Sequence, residues 1–303
     1  MADAIDARLR GVRAVIPRAD LVVEYRAVAT PDVHVAEPAP PGARSVYDSA
    51  AVATRYDDGC DTLYLACGAF ARAICRPGEG RAVVSYLESE AAALGWLLSH
   101  ALLTVSLMEM LKRRGAYALH AAALARRGTA VLFAGASGSG KTTLALALAR
   151  AGFDFLGDDL AFLAPGEAGL KVLAFPDQID VTAETAGLLP ELAPFLGRKA
   201  IPGREKRGVF IEELYPVAVC AEAAPGLLVL PSVSPDGRTR VGPLAPADAF
   251  LELAPNVLLT DRDSSQAHLD ALARLVDWSR CYRLETGRDL EAVAETLGAL
   301  VPD

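Results

Sequence analysis

The chain has 303 residues, of which 52% are hydrophobic and 22% charged, so a sizeable core is within reach and a disordered chain is excluded. Thirty Lys and Arg against 38 Asp and Glu leave a formal charge of −8, which excludes a nonspecific grip on nucleic acid over the whole surface. Any phosphate chemistry must therefore come from a local site.

The N-terminal stretch MADAIDARLRGVRAVIPRAD breaks its apolar residues with charges and has no signal-peptide core. Residues 1–85 read as a small β-rich domain, a meander with apolar runs at 21–27, 61–67 and 69–75. Turns fall at Asp57-Asp58-Gly59 and Pro77-Gly78-Glu79-Gly80, and the Pro-rich stretch 37–42 reads as a loop. A long helix follows at about 87–113. Its residues 91–108 are eighteen in a row without a formal charge, the lower limit for a membrane span. Ser99, His100, Thr104 and Ser106 interrupt them, so the segment is read as a core helix and no membrane is expected. The five cysteines, Cys60, Cys67, Cys75, Cys220 and Cys281, are odd in number without a C-x-x-C pair. They suggest neither a disulfide framework nor a zinc ribbon, and fit a reducing cytoplasm.

Two apolar strands at 116–125 and 129–134 come next, joined by Arg126-Arg127-Gly128. Strands and helices then intermingle, with helical patterns at 246–254, 264–279 and 288–300, so residues 86–303 read as one α/β domain that includes the leading helix. Trp96 and Trp278 lie in helical apolar patterns and are read as core; His34, His100 and His268 have no motif around them and are read as structural or exposed.

The strongest signal is GASGSGKT at 135–142, a full G-x-x-x-x-G-K-[ST] match between the strand TAVLFA and the helical run TTLALALARA. The glycines let the backbone close around phosphate oxygens, and the amides of the loop and of the helix start point at the anion. Gly135, Ala136, Ser137, Gly138, Ser139, Gly140, Lys141, Thr142 and Thr143 are the candidate nucleotide-binding residues, with Lys141 on the β- and γ-phosphates and Thr142 on Mg²⁺. The helix carries the chain away by roughly 15 Å at about 1.5 Å per residue, and a strand at 153–158 returns by nearly that length. Asp158 and Asp159 thus come back beside the loop. Neighbours on a strand face opposite ways, so one carboxylate is a candidate metal ligand and the other a candidate general base.

These residues resemble the HPr kinase family, whose nucleotide core is related to phosphoenolpyruvate carboxykinase. His120 precedes the first loop glycine by fifteen positions, and the Asp pair follows Lys141 by seventeen and eighteen. Glu205-Lys206-Arg207-Gly208 is similar to the start of that family's E-x-R-G signature. The resemblance implies a P-loop, mixed-sheet kinase core beside the small β-rich domain, using ATP and Mg²⁺. It implies Asp159, Asp158, His120, Lys141 and Arg207 as catalytic residues and Thr142, Asp158 and Glu205 as metal ligands. Asp159 is the preferred base. The N-terminal 85 residues are unlike the family's usual domain, and the better resemblance is to divergent members encoded with ribosomally made peptides such as lasso peptides. A serine hydroxyl of a protein or peptide is then the expected acceptor. A small amino-acid or sugar kinase and a non-catalytic ATP-binding sensor stay open beside it, as does a homo-oligomer. The basic stretch Arg198-Lys199 to Arg204-Glu205-Lys206-Arg207 reads as a mobile loop presenting charge to an acidic partner or as an ordinary solvated loop. Arg283, on a short strand before the last helix, is a weaker candidate for the nucleotide.

Overall fold

The structure is a computed structural model that describes residues 20–29, 38–167, 169–201 and 205–301. His34, Glu37, Arg204 and the N-terminal stretch through residue 19 lie outside the described residues. Two compact units share the chain: one comprises Met1–Ala116 and Leu258–His268, the other Tyr117–Val257 and Leu269–Asp303.

The first unit is built on six strands, β1 (Val22–Val28), β2 (Arg44–Asp48), β3 (Ala53–Asp57), β4 (Thr62–Cys67), β5 (Ala71–Arg76) and β6 (Arg81–Leu87). Strands β2 to β6 form the expected antiparallel meander, and β1 closes it parallel to β6. Alternation sends Leu63, Leu65, Ala71, Ala73, Val84 and their neighbours to one face. The helix Glu88–Lys112 covers that face with Leu94, Leu98, Leu102 and Met110. Among the described residues it is the one helix long and apolar enough to cross a membrane, by length and composition. Its apolar stripe finds its partner upstream, so the helix groups with the β-rich unit and not, as the sequence reading has it, with the domain that follows. Trp96 corrects the core assignment. Two positions from both Leu94 and Leu98, it stands on the far side of the helix, half-buried, with its ring stacked on His100 at 5.3 Å.

All five cysteines are free. Burial pushes the Cys75 thiol up to about 12 and that of Cys67 up to about 11, so both act as small apolar core residues.

The unit has a charged lock at the end of its helix. Glu109 and Lys112, each with a side chain 2% exposed, pair at 2.7 Å. The Thr260 hydroxyl donates to Glu109 Oε2 at 2.6 Å, and Lys112 Nζ donates to Thr260 Oγ1 and to the Leu258 carbonyl, both at 2.8 Å. Arg113 adds an ion pair to Asp61 at 2.7 Å and a hydrogen bond to Ser264 at 2.6 Å. These bonds fasten the segment Leu258–His268 to the helix.

The second unit begins with β7 (Tyr117–Leu119), β8 (Ala121–Arg126) and β9 (Thr129–Ala134), followed by helix Lys141–Arg150 and β10 (Asp154–Gly157). It continues with β11 (Ala161–Gly166), β12 (Gly169–Leu173), β13 (Ile179–Val181), β14 (Arg207–Val209), β15 (Glu222–Val233), β16 (Arg240–Pro243) and β17 (Arg280–Thr286). The main sheet is mixed, in the order β10-β8-β9-β15-β12-β11-β7, with β17 on β15 and β16 on β17. Positive φ at Arg127 and Gly128 makes the tight β8–β9 turn. The run 116–125 is not one strand: it breaks at His120, before which β7 pairs with β11 and after which β8 pairs with β9 and β10. β7 and β8, consecutive in the chain, thus stand far apart in the sheet order.

Both faces of this sheet are covered. Ala122, Leu124, Val131 and Phe133 pack toward the helices Lys141–Arg150 and Leu290–Leu300 and the ribbon β13–β14. Ala121, Ala123, Leu132 and Ala134 pack toward helix Pro246–Leu253 and the C-terminal part of helix Arg262–Trp278. Trp278 is 47% exposed and corrects the second core assignment. As the last helical residue it lies beyond the buried positions Leu272, Leu275 and Val276 and covers Gly169, where a Cβ would fall 2.0 Å from its ring.

Candidate functional site

The glycine-rich loop leaves β9 and runs directly into helix Lys141–Arg150. Its shape depends on positive φ at Gly135 (145°), Gly138 (83°) and Gly140 (96°), which side-chain-bearing residues rarely adopt. Gly140 is the left-handed N-cap and offers no side-chain acceptor, so the amides of Lys141, Thr142 and Thr143 start the helix without intrahelical partners. Ala136, Ser137 and Gly138 are exposed. The Ser139 hydroxyl is buried with no hydrogen-bond partner. Lys141, 6% exposed, folds back and donates from Nζ to the carbonyls of Gly135 at 2.8 Å and Ala136 at 3.1 Å. Burial lowers its pKa and the charge of Lys206 adds to the effect, against Asp159 and Asp158, which raise it.

Gly152, at φ 85°, ends the helix, and the chain returns through β10, which runs parallel to β9 with β8 between them. Asp158 arrives beside the loop. The Thr142 hydroxyl donates to its Oδ2 at 3.0 Å. The residue is 1% exposed, and its Oδ1 is buried without a hydrogen-bond partner. Burial above all, then the neighbouring Asp159 and the charges of Asp177 and Asp180, raise its pKa well above the ordinary range, while the Thr142 bond opposes them. Asp159 is exposed, and its main-chain carbonyl receives a hydrogen bond from His120 Nδ1 at 2.9 Å. A carbonyl only accepts, so Nδ1 carries the proton. His120 occupies the break between β7 and β8.

Gly157 makes the close approach possible. A Cβ there would fall 2.6 Å from the Leu160 carbonyl and 2.9 Å from that of Phe175. The Phe175 amide donates to the Leu156 carbonyl at 2.9 Å, which lays the following residues, including the 4% exposed Asp177, along the end of β10. Gly157→Ala is expected to push this segment off the strand, costing about 1–3 kcal/mol. It should raise the Asp158 hydrogen-exchange rate region-wide while circular dichroism stays native; an unchanged melting temperature would contradict it.

In the ribbon β13–β14, Ile179 pairs with Val209, Asp180 with Gly208 and Val181 with Arg207. Ile179, Val181 and Val209 enter the core that the Lys141–Arg150 helix shares. Asp180 and Lys206 meet at 3.8 Å. Gly208 lies under Gln178, whose amide carbon is 2.0 Å from where a Cβ would sit, which gives the motif glycine a steric reason. Arg207 and Glu205 line a cleft of about 500 Å³ with Thr182, Ala183, Glu184 and Leu196, and Arg207 Nε is buried without a hydrogen-bond partner.

The structure therefore brings Lys141, Thr142, Asp158 and Asp159 together at the loop, with His120 behind Asp159. Glu205 stands in the cleft with Arg207: among the described residues no hydrogen bond or ion pair joins it to Thr142 or Asp158, and no trio of His, Cys, Asp and Glu is arranged to hold a metal by itself. The basic stretch is not a free loop at its start, because Arg198 pairs with Glu213 at 3.0 Å and covers the Phe195 ring at 4.5 Å. Arg283 pairs with Glu252. Asp177 and Asp180 escaped the sequence reading, and Lys206 was read as part of the basic stretch without a role of its own. Only Lys206, inside the quoted EKRG, carried a signal.

No protein-family model and no curated protein matches the chain. Among solved structures, the Hpr(Ser) kinase/phosphatase from Coxiella burnetii is similar at a TM-score of 0.30 and 16% identity, covering 60% of this chain and 93% of that one. A likeness this distant leaves the chemistry to be read from the side chains.

Proposed function

We propose that the protein is an ATP-dependent, Mg²⁺-requiring kinase that transfers the γ-phosphoryl group to a serine hydroxyl of a protein or peptide. One observation carries the reading: a buried carboxylate, Asp158, bonded to the Thr142 hydroxyl at the foot of the glycine loop, with its second oxygen unpartnered. A divalent cation beside that oxygen would reverse the burial penalty, and the unpartnered Ser139 hydroxyl and helix-start amides suit phosphate oxygens. The residues present thus fit a magnesium-nucleotide.

When bound, that ligand supplies the activated phosphoryl group and neutralises part of its charge. The loop 135–140 and the amides of Lys141, Thr142 and Thr143 hold the phosphates, and Lys141 exchanges the carbonyls of Gly135 and Ala136 for phosphate oxygens. Thr142 and Asp158 are the residues that would hold the metal. Asp159, exposed beside them, accepts the proton of the acceptor hydroxyl as its oxygen bonds to the γ-phosphorus. The bond from that phosphorus to the bridging oxygen breaks, and its electron pair leaves with ADP. His120 steadies the main chain of Asp159. Arg207, which lines the cleft, is assigned to the acceptor, and a partly open cleft suits an extended peptide better than a closed metabolite site.

The test is phosphate transfer from labelled ATP to candidate proteins and peptides. Asp159→Asn should lower the turnover by about 10²–10³-fold with nucleotide affinity retained, and Lys141→Ala should lose both. Full activity in either variant overturns the assignment, and nucleotide binding without a phosphorylated product selects the sensor.

A further inference from the structure

Two lysines stand on elements that share one core, and the glycine motif accounts for one of them. The other is Lys206, which stands at the start of β14 and meets Asp180 at 3.8 Å, with side chains 36% and 6% exposed. A charge-assisted hydrogen bond is about 2.7–2.9 Å, so the pair holds Lys206 near without saturating it. Asp180 itself is fixed. It sits on β13 between Ile179 and Val181, both fully buried in the core formed with the Lys141–Arg150 helix, so the ribbon that carries Lys206 is anchored to the helix whose start forms the loop. The electrostatics agree with that placement. Lys206 disfavours the charged form of Lys141, and Asp180 disfavours the charged form of Asp158. Two like charges converging on one mouth repel, and an anion between them relieves both.

We propose that Lys206 is a second phosphate-contacting residue, positioned by Asp180, that reads the γ-phosphoryl group and distinguishes nucleoside triphosphate from diphosphate. This rests on the kinase reading above. Lys141 is committed to the loop, whereas Lys206 belongs to the ribbon and would meet the group on which charge builds up during transfer. Leaving the long Asp180 pair for a γ-oxygen gains a shorter, charge-assisted bond. Without a γ-phosphate, Lys206 stays with Asp180.

Calorimetric titration of the full chain with Mg-ADP and with the non-hydrolysable analogue Mg-AMP-PNP tests this without an acceptor. Lys206→Ala should weaken AMP-PNP binding about tenfold or more, while ADP binding stays within about twofold. Lys206→Arg should restore most of the difference, and Asp180→Asn should lose part of it. Equal weakening toward both nucleotides, or none, overturns the proposal and leaves the kinase reading standing. A wild-type protein that binds neither nucleotide overturns the kinase reading and this inference with it.

Discussion

Asp158→Asn should give a protein that melts at a higher temperature than the wild type and transfers phosphate about 10³-fold more slowly, a loss of about 4 kcal/mol of transition-state stabilisation. The two effects have one cause. In the folded chain the carboxyl is 1% exposed and shares its surroundings with Asp159, Asp177 and Asp180, so its pKa lies well above the unfolded value. Between those two values the native state holds more protons than the unfolded chain, so stability falls as pH rises through the window. At neutral pH, moving the carboxyl from its ionised unfolded form into this site opposes folding. Asparagine keeps the shape and can still accept the Thr142 hydrogen bond, but carries no charge. The gain in melting temperature is about 2–4 °C for each kcal/mol recovered, and it should shrink as the pH falls toward the ordinary aspartate range. Magnesium-nucleotide should reverse the order, because a dication rewards the carboxylate and not the amide. Melting curves at two pH values, with and without Mg-AMP-PNP, check all three points. An asparagine variant that melts lower at neutral pH would contradict the burial of a charge at this position.

Glu109→Ala should cost about 3–5 kcal/mol, the range for stripping one partner from a buried ion pair. It leaves the Lys112 ammonium 2% exposed without its counter-charge and takes the acceptor from the Thr260 hydroxyl. Burial already lowers the Lys112 pKa, and Glu109 is the main influence holding it up. In the variant the native state gives up that proton earlier than the unfolded chain does. The unfolded state then binds more protons, so the variant's stability rises with pH and the deficit narrows toward the ordinary lysine range. Glu109→Leu with Lys112→Met should recover most of the loss, because two desolvated charges disappear together. Urea denaturation at neutral and alkaline pH measures both. A double variant no more stable than Glu109→Ala would show that the pair is not what the helix end depends on.

How far the sequence was legible depends on how far apart the interacting residues are. The loop 135–142 and its return to Asp158 follow from local rules: three glycines with positive φ, a ten-residue helix and a short strand back. The meander was legible from turns and alternation, although β2 and β3, short strands with charged residues in them, gave no apolar run. The break at His120 was hidden because YALHAAALAR is apolar on both sides of it, and only pairing with different partners separates β7 from β8. Asp180 and Lys206 are 26 residues apart in the chain and meet through the β13–β14 register, which no periodicity announces. Trp96 and Trp278 failed as core residues because composition showed an apolar helix without showing which side of it, or how much of its end, finds a partner.

The lock at Thr260 has a consequence for synthesis. Helix Glu88–Lys112 belongs to the first unit, yet the hydroxyl and carbonyl that complete its polar end come from Leu258–His268. A ribosome making this chain releases Glu109 and Lys112 long before their last partners leave the exit tunnel. The N-terminal unit therefore cannot finish before nearly the whole catalytic candidate has been translated, and a single cut after Ala116 strands Leu258–His268, a piece of the first unit, on the fragment that carries the second.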